Sequence, residues 1–206
     1  MGETIDYFYS HVSPWAYLGH DAVRAVAEKH GAVLRARPVD LSGVFDASGG
    51  LPLGKRHPAR QAYRFIELQR WKDKRGVPLS FKPKFFPTKP GLADRSAIAL
   101  AQANGPVLEF SAVMFRAIWA EDLDIAGENV VRQGLEAVGV DPDEVISKAE
   151  GAEVIGQYQQ NQQDAVDAGV IGSPCYVLKG EPFWGQDRID LLEEALISGR
   201  PGYTSL

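Results

Sequence analysis

Apolar and polar positions along the chain change period repeatedly, and the changes outline its elements. Residues 4–9 (TIDYFY) are rich in β-forming side chains and predict a strand. Behind it, Trp15, Leu18, Ala22 and Val26 recur at helical spacing, so a helix is expected from Pro14 to about His30, with Gly31 as its stop. Residues 32–38 (AVLRARP) alternate apolar and basic side chains, as a half-buried strand does. A strand–helix–strand unit whose helix crosses over implies parallel strands.

The pattern then shifts. Residues 42–56 are rich in Gly and Ser and read as loop. Helical spacing dominates over residues 58–75, 92–103, 107–119, 127–138, 142–149 and 151–168. Between the first two of these, residues 76–91 (GVPLSFKPKFFPTKPG) carry four prolines and exclude long regular structure. After Gly169 the β character returns at residues 175–178, a Lys179-Gly180 turn follows, and residues 182–184 complete a short hairpin. A last helix is expected from about Asp187 to Ser198. The β-α-β and β-β-α pieces therefore flank a long helical block. That is the plan of an α/β, thioredoxin-like fold with a large helical subdomain inserted, residues 1–45 and 169–206 forming one discontinuous domain and residues 46–168 the insertion.

Composition narrows the class. The chain has 206 residues, 45% hydrophobic and 24% charged, which is ordinary globular usage. No apolar run approaches the roughly 20 residues needed to span a bilayer, and no secretory signal is visible, so a cytoplasmic protein is expected. The single cysteine, Cys175, excludes an intrachain disulfide and a cysteine-rich zinc site, and it reads as a small buried apolar residue. His11, His20, His30 and His57 lack metal-ligand spacing, and hydrolase-elbow, zincin and phosphate-loop motifs are absent, so no metal or nucleotide is expected. A hydrolytic pair of Ser13 with His11, two residues before it, therefore has no supporting motif.

Charge is uneven. The net charge is −5, yet residues 51–95 hold 12 of the 22 Lys and Arg against only Glu67, Asp73 and Asp94. Such a field attracts an anionic small molecule. It comes without any nucleic-acid motif.

Three segments carry the chemistry: SPWAYLG at 13–19, GVIGSPCYVL at 169–178 and FWGQDRIDLLEEAL at 183–196. With the Phe-Phe-Pro stretch of FKPKFFPTKP, their order and spacing resemble the 2-hydroxychromene-2-carboxylate isomerase family, relatives of kappa-class glutathione transferases, over essentially the whole chain. SPWAYLG sits where thioredoxin-like oxidoreductases place Cys-Pro-x-Cys at a helix start. Ser13 and Ala16 replace both cysteines, so dithiol redox chemistry through this motif is excluded. A helix N-terminus still stabilises an anion, and a thiolate brought in from outside would have its pKa lowered there. Ser13 as a plain N-cap before Pro14 is the competing reading. The two roles are expected to coexist poorly, because one hydroxyl has one proton to donate.

The resemblance implies glutathione as cofactor, with Ser13 the catalytic host of its thiolate. It further implies a cis Ser173-Pro174 bond whose Ser173 backbone pairs with the peptide, and Gln186 and Asp187 at the γ-glutamyl end. Arg188 would be a surface residue or a partner of Asp187. Lys82, Lys84 and Phe86, in the aromatic and basic loop, would receive an aromatic carboxylate substrate. One departure is visible: Gly50 stands where kappa-class enzymes carry a peptide-binding Asn. The implied activity is a glutathione-dependent isomerase. The alternatives are a kappa-like transferase that releases a conjugate, and a non-catalytic thioredoxin-like binding module. Relatives suggest a homodimer.

Overall fold

The structure is a computed structural model that describes residues 2–205. The first strand, β1 (Thr4–Tyr9), leads into helix α1 (Pro14–Lys29) and returns as β2 (Val33–Pro38), which lies parallel to β1 in register from Thr4 opposite Val33 to Tyr9 opposite Pro38. The second half of the sheet comes from the far end of the chain. There β3 (Cys175–Leu178) and β4 (Glu181–Trp184) form a hairpin, and β3 pairs antiparallel with β1. The sheet order is β2-β1-β3-β4. Lys179 and Gly180 both have positive φ, at 52° and 81°, the conformation that a two-residue hairpin turn requires.

Between the halves run α2 (Leu41–Ser48), α3 (Pro58–Arg75), α4 (Gly91–Gln102), α5 (Val107–Trp119), α6 (Glu128–Ala137), α7 (Pro142–Ala149) and α8 (Ala152–Asp167). The last helix, α9, spans Ile189–Ser198 and is preceded by a 3-10 turn at Gln186–Arg188. Helix α2 and a 3-10 turn at Leu53–Lys55 correct the loop expected over residues 42–56. The Gly and Ser content there hides good ends: Asp40 caps the amide of Ser42, Gly49 closes α2 in the left-handed conformation, and Val44 buries completely.

The sheet separates two apolar layers because successive strand residues point to opposite faces. On one face Tyr7 stacks against Tyr9 and Tyr176, with ring centroids 4.4 and 5.3 Å apart, and α5 lays Phe110, Phe115 and Trp119 against the same cluster. This layer runs without a break into α4, α6 and α7 through Ile98, Leu135 and Ile146. On the other face Phe8, Val177 and Cys175 meet Val44 of α2 and Ala165 of α8. Cys175 is fully buried, and burial pushes its thiol up to about 12, so it stays a protonated packing residue. No helix among the described residues is long and apolar enough to cross a membrane.

Candidate functional site

β1 ends where α1 begins, and the turn between them sets the floor of a cleft. The amide of Ser13 donates to the carbonyl of Ser10 at 3.0 Å, which closes the turn. Ser13 is the N-cap of α1: its Oγ accepts from the Ala16 amide at 3.2 Å, and Pro14 takes the first helical position. The same hydroxyl donates its proton to the carbonyl of Ser173 at 2.8 Å. Capping therefore uses a lone pair and leaves the proton free for a second partner. The conflict expected between capping and anion binding does not arise from capping; the competitor for the proton is the Ser173 carbonyl.

Ser173 and Pro174 precede β3 and are joined by a cis bond; a second cis bond joins Phe86 and Pro87. The Ser173 hydroxyl accepts from the Ser10 amide at 3.1 Å, and the Pro174 carbonyl accepts from the Gly185 amide at 2.9 Å. The β1–α1 turn, the Ser173-Pro174 loop and the end of β4 are thus tied into one block. Glycines permit the close approach. A Cβ at Gly172 would lie 2.5 Å from the indole nitrogen of Trp184, and one at Gly19 would lie 2.5 Å from the Cβ of Gln186.

A cleft of about 250 Å³ opens on this block, lined by Trp15, Trp71, Ser173, Trp184 and residues 185–188. Gln186 is buried, and Arg75 takes its side-chain carbonyl at 2.9 Å and its backbone carbonyl at 3.0 Å, so it braces α3 against the 3-10 turn. Asp187 is half exposed and pairs with Arg188 at 2.6 Å. It lies inside the 3-10 turn and makes no capping bond, because α9 starts only at Ile189.

A second cleft, of about 520 Å³, adjoins the first and shares Trp15, Glu67 and Trp184 with it. Its wall is Arg56, which follows the 3-10 turn at Leu53–Lys55, and Arg60, Tyr63 and Arg64 at the start of α3. No carboxylate among the described residues pairs with these three arginines. Burial, reinforced by the nearby Arg56 charge, lowers Arg64 to about 10, and burial with the nearby Arg60 lowers Arg56 as well. Both remain charged at neutral pH and both gain from an anion brought to them.

Ser173, Gln186 and Asp187 therefore line one cleft, with Pro174 beside Ser173, while Ser13 is buried behind Ser173 and reaches the cleft only through its bond to that residue's carbonyl. Lys82 and Lys84 do not line either cleft. They project from the proline-rich loop, with the Lys84 ammonium 5.0 Å over the Phe85 ring, and Phe86 packs against Trp119 at 5.2 Å. The arginines that do line it were visible only as part of the general basic excess. Their recurrence every four residues, which puts Arg60 and Arg64 on one helix face, was the available signal. His11 does not contact Ser13. Its Nδ1 donates to Asp94 at 2.6 Å, and both residues are fully buried.

A family profile described as "DSBA-like thioredoxin domain" matches residues 4–197. Among curated proteins, the chain is similar to 2-hydroxychromene-2-carboxylate isomerase of Sphingobium xenophagum, 29% identical over 199 residues that cover 96% of this chain and 100% of that one. It is also similar to glutathione S-transferase kappa 1 of Homo sapiens, 23% identical over 208 residues, 95% of this chain and 92% of the other. A solved structure of a 2-hydroxychromene-2-carboxylate isomerase superposes with a TM-score of 0.79 at 24% identity over 95% of each chain, which shows a shared fold.

Proposed function

We propose, for a chain that belongs to the DSBA-like thioredoxin domain family, that it is a cytoplasmic glutathione-dependent isomerase of the 2-hydroxychromene-2-carboxylate type. The observation that carries this reading is the Ser13 hydroxyl, placed at a helix start where redox relatives need a thiol and bonded to the carbonyl of Ser173, which lines a cleft. The residues present fit glutathione. Asp187 offers a carboxylate to an ammonium group, the Ser173 backbone lies at the cleft wall, and Arg60 and Arg64 offer unpaired guanidinium groups to carboxylates.

When bound, glutathione supplies a thiolate that adds reversibly to an electron-poor carbon–carbon double bond of an aromatic carboxylate and leaves again. The protein's part is to hold that charge. The α1 N-terminus favours the charged sulfur, and the Ser13 proton turns from the neutral Ser173 carbonyl toward it, since a bond to an ionised acceptor is roughly twice as strong. The capping bond to Ala16 persists through this change, because it uses the oxygen and not the proton. The Ser173 carbonyl so released becomes available to a peptide amide. Trp15, Tyr63 and Trp184 supply flat apolar surface for an aromatic ring, and Arg56 a partner for its carboxylate, in place of Lys82 and Lys84.

The alternative is a transferase that releases the conjugate, favoured by the similarity to a kappa-class protein. Incubation with glutathione and 2-hydroxychromene-2-carboxylate separates the two. Isomerised product with full recovery of free glutathione is expected. A stable conjugate would make the protein a transferase, and absence of glutathione binding by calorimetry would remove both.

A further inference from the structure

The turn that carries Ser13 is held by a residue 81 positions away in sequence that makes no hydrogen bond to Ser13 itself. We propose that Asp94, in the first turn of α4, is the positioning residue of the β1–α1 turn and so sets where the Ser13 hydroxyl points. Asp94 is 0% exposed and so are Ser10 and His11, the residues at which the turn begins. Its carboxylate receives the Ser10 hydroxyl at 3.1 Å, the His11 amide at 3.2 Å, the His11 ring Nδ1 at 2.6 Å and the Tyr158 hydroxyl at 2.9 Å. A carboxylate has about four lone-pair sites, so these four donors saturate it. Three of them belong to the turn. The fourth comes from α8 and stops the carboxylate from rotating, and the charged acceptor it leaves behind raises the Tyr158 hydroxyl well above its ordinary value, after burial as the main cause.

No other hydrogen bond fixes the His11 ring. Its Nε2 has no hydrogen-bond partner among the described residues and lies in a nest formed by the Tyr9, Phe110 and Phe115 rings. Since the carboxylate can only accept from Nδ1 in this pair, the ring's orientation is dictated by Asp94. The remaining polar groups of the turn are closed by Trp119, whose indole donates to the His11 carbonyl at 3.0 Å, and by Ser173, which takes the Ser10 amide. The helical block, through α4, α5 and α8, therefore determines the register of a turn that belongs to the sheet. Removing the carboxylate's second oxygen leaves buried donors without acceptors, and the turn must move to satisfy them.

This inference rests on the reading of Ser13 as a thiolate host for its consequence, though not for its geometry, and the experiment separates the two. Ligand-free crystal structures of the wild type, Asp94→Asn and His11→Phe give the geometry. The thiol of bound glutathione, titrated by thiolate absorbance at saturation, gives the consequence. In Asp94→Asn the Ser13 Oγ is expected to leave the Ser173 carbonyl by more than the ~3.5 Å that a hydrogen bond allows, and the bound thiol pKa to rise by about one unit, tenfold less thiolate at a fixed pH. His11→Phe fills the aromatic nest, removes the shortest of the four bonds, and serves if Asp94→Asn does not fold; its shifts are expected in the same direction. Leu135→Ala in α6, compared at an equal loss of melting temperature, controls for general loosening and should move neither readout. Ser13 unmoved in the variants, or an equal shift in the Leu135→Ala control, would overturn the assignment of Asp94. A wild type that binds no glutathione, or does not depress its thiol pKa, would defeat the proposed function and leave the crystallographic test of Asp94 standing.

Discussion

The floor, buried beneath the cleft, and the wall that lines it differ in how their polar groups are treated. At the floor, Ser10, His11 and Ser13 are buried, and their hydroxyls and the His11 Nδ1 are bonded within the protein before any ligand arrives. Along the α3 wall, Arg56, Arg60 and Arg64 carry charge with no carboxylate partner among the described residues, and burial already works against the charge on Arg56 and Arg64. A preorganised floor aims a hydroxyl at a small target without rearrangement during reaction. An underpaired wall gains its stabilisation only when an anion comes in. Substitutions should therefore separate the two: changes at the floor cost stability, changes at the wall cost affinity.

The largest effect is expected at the floor. Asp94→Ala strips the acceptor from His11, Ser10 and Tyr158 at once and should lower the free energy of unfolding by about 3–5 kcal/mol, read from urea denaturation. Equal stability would mean that the floor is not held as described. At the wall, the double substitution Arg60→Gln with Arg64→Gln should weaken glutathione binding by roughly tenfold or more in calorimetry, as expected for lost bonds to a charged group. Its stability should match or exceed that of the wild type. A stability loss without an affinity loss would invert the comparison.

An effect confined to acid is expected from pH. His20, on the inner side of α1, donates from Nε2 to the Leu108 carbonyl at 2.9 Å, and its Nδ1 accepts from the Tyr7 hydroxyl at 3.3 Å. Burial lowers its pKa to about 4, against the pull of the Leu108 carbonyl, from the usual 6.5. The unfolded chain therefore takes up a proton below pH 6.5 that the native state refuses until about pH 4. Through that window the wild type should lose stability by about 1.4 kcal/mol per pH unit relative to His20→Gln. Parallel pH profiles would place His20 outside the rigid core behind the site. Ser13→Ala removes an N-cap and the donor to the buried Ser173 carbonyl and should cost about 2 kcal/mol in the same unfolding assay.

The parts of this arrangement legible in the sequence are those encoded locally. The α/β thioredoxin-like fold followed from strand and helix periodicities, and the resemblance to the isomerase and kappa-class proteins is matched by the relatives found. SPWAYLG announced a helix start with a hydroxyl because cap, proline and apolar spacing all lie within a few residues. Helix α2 was missed because its stability comes from Val44 packing on Phe8 and Ala165, partners distant in sequence, and not from its Gly- and Ser-rich composition. Asp94 was invisible for the same reason: 83 residues separate it from His11, and an aspartate in a first helical turn reads as ordinary dipole compensation. Gln186 was expected as a ligand contact and lines the cleft, and its bond from Arg75, 111 residues away, gives it a bracing role that no local pattern announces. The substrate-side residues were sought in the loop with the densest lysines and aromatics. The cleft is formed instead by α3, whose arginines share a face only once the helix is built.

The central claim is that Ser13 lends its proton to a sulfur that the protein does not itself carry. A crystal structure of the wild type with glutathione tests it most directly. The sulfur should lie within about 3.5 Å of the Ser13 Oγ, with the hydroxyl turned from the Ser173 carbonyl and the Ala16 capping bond kept. Glutathione bound with its sulfur elsewhere, and Ser13 still donating to Ser173 at 2.8 Å, would contradict the account.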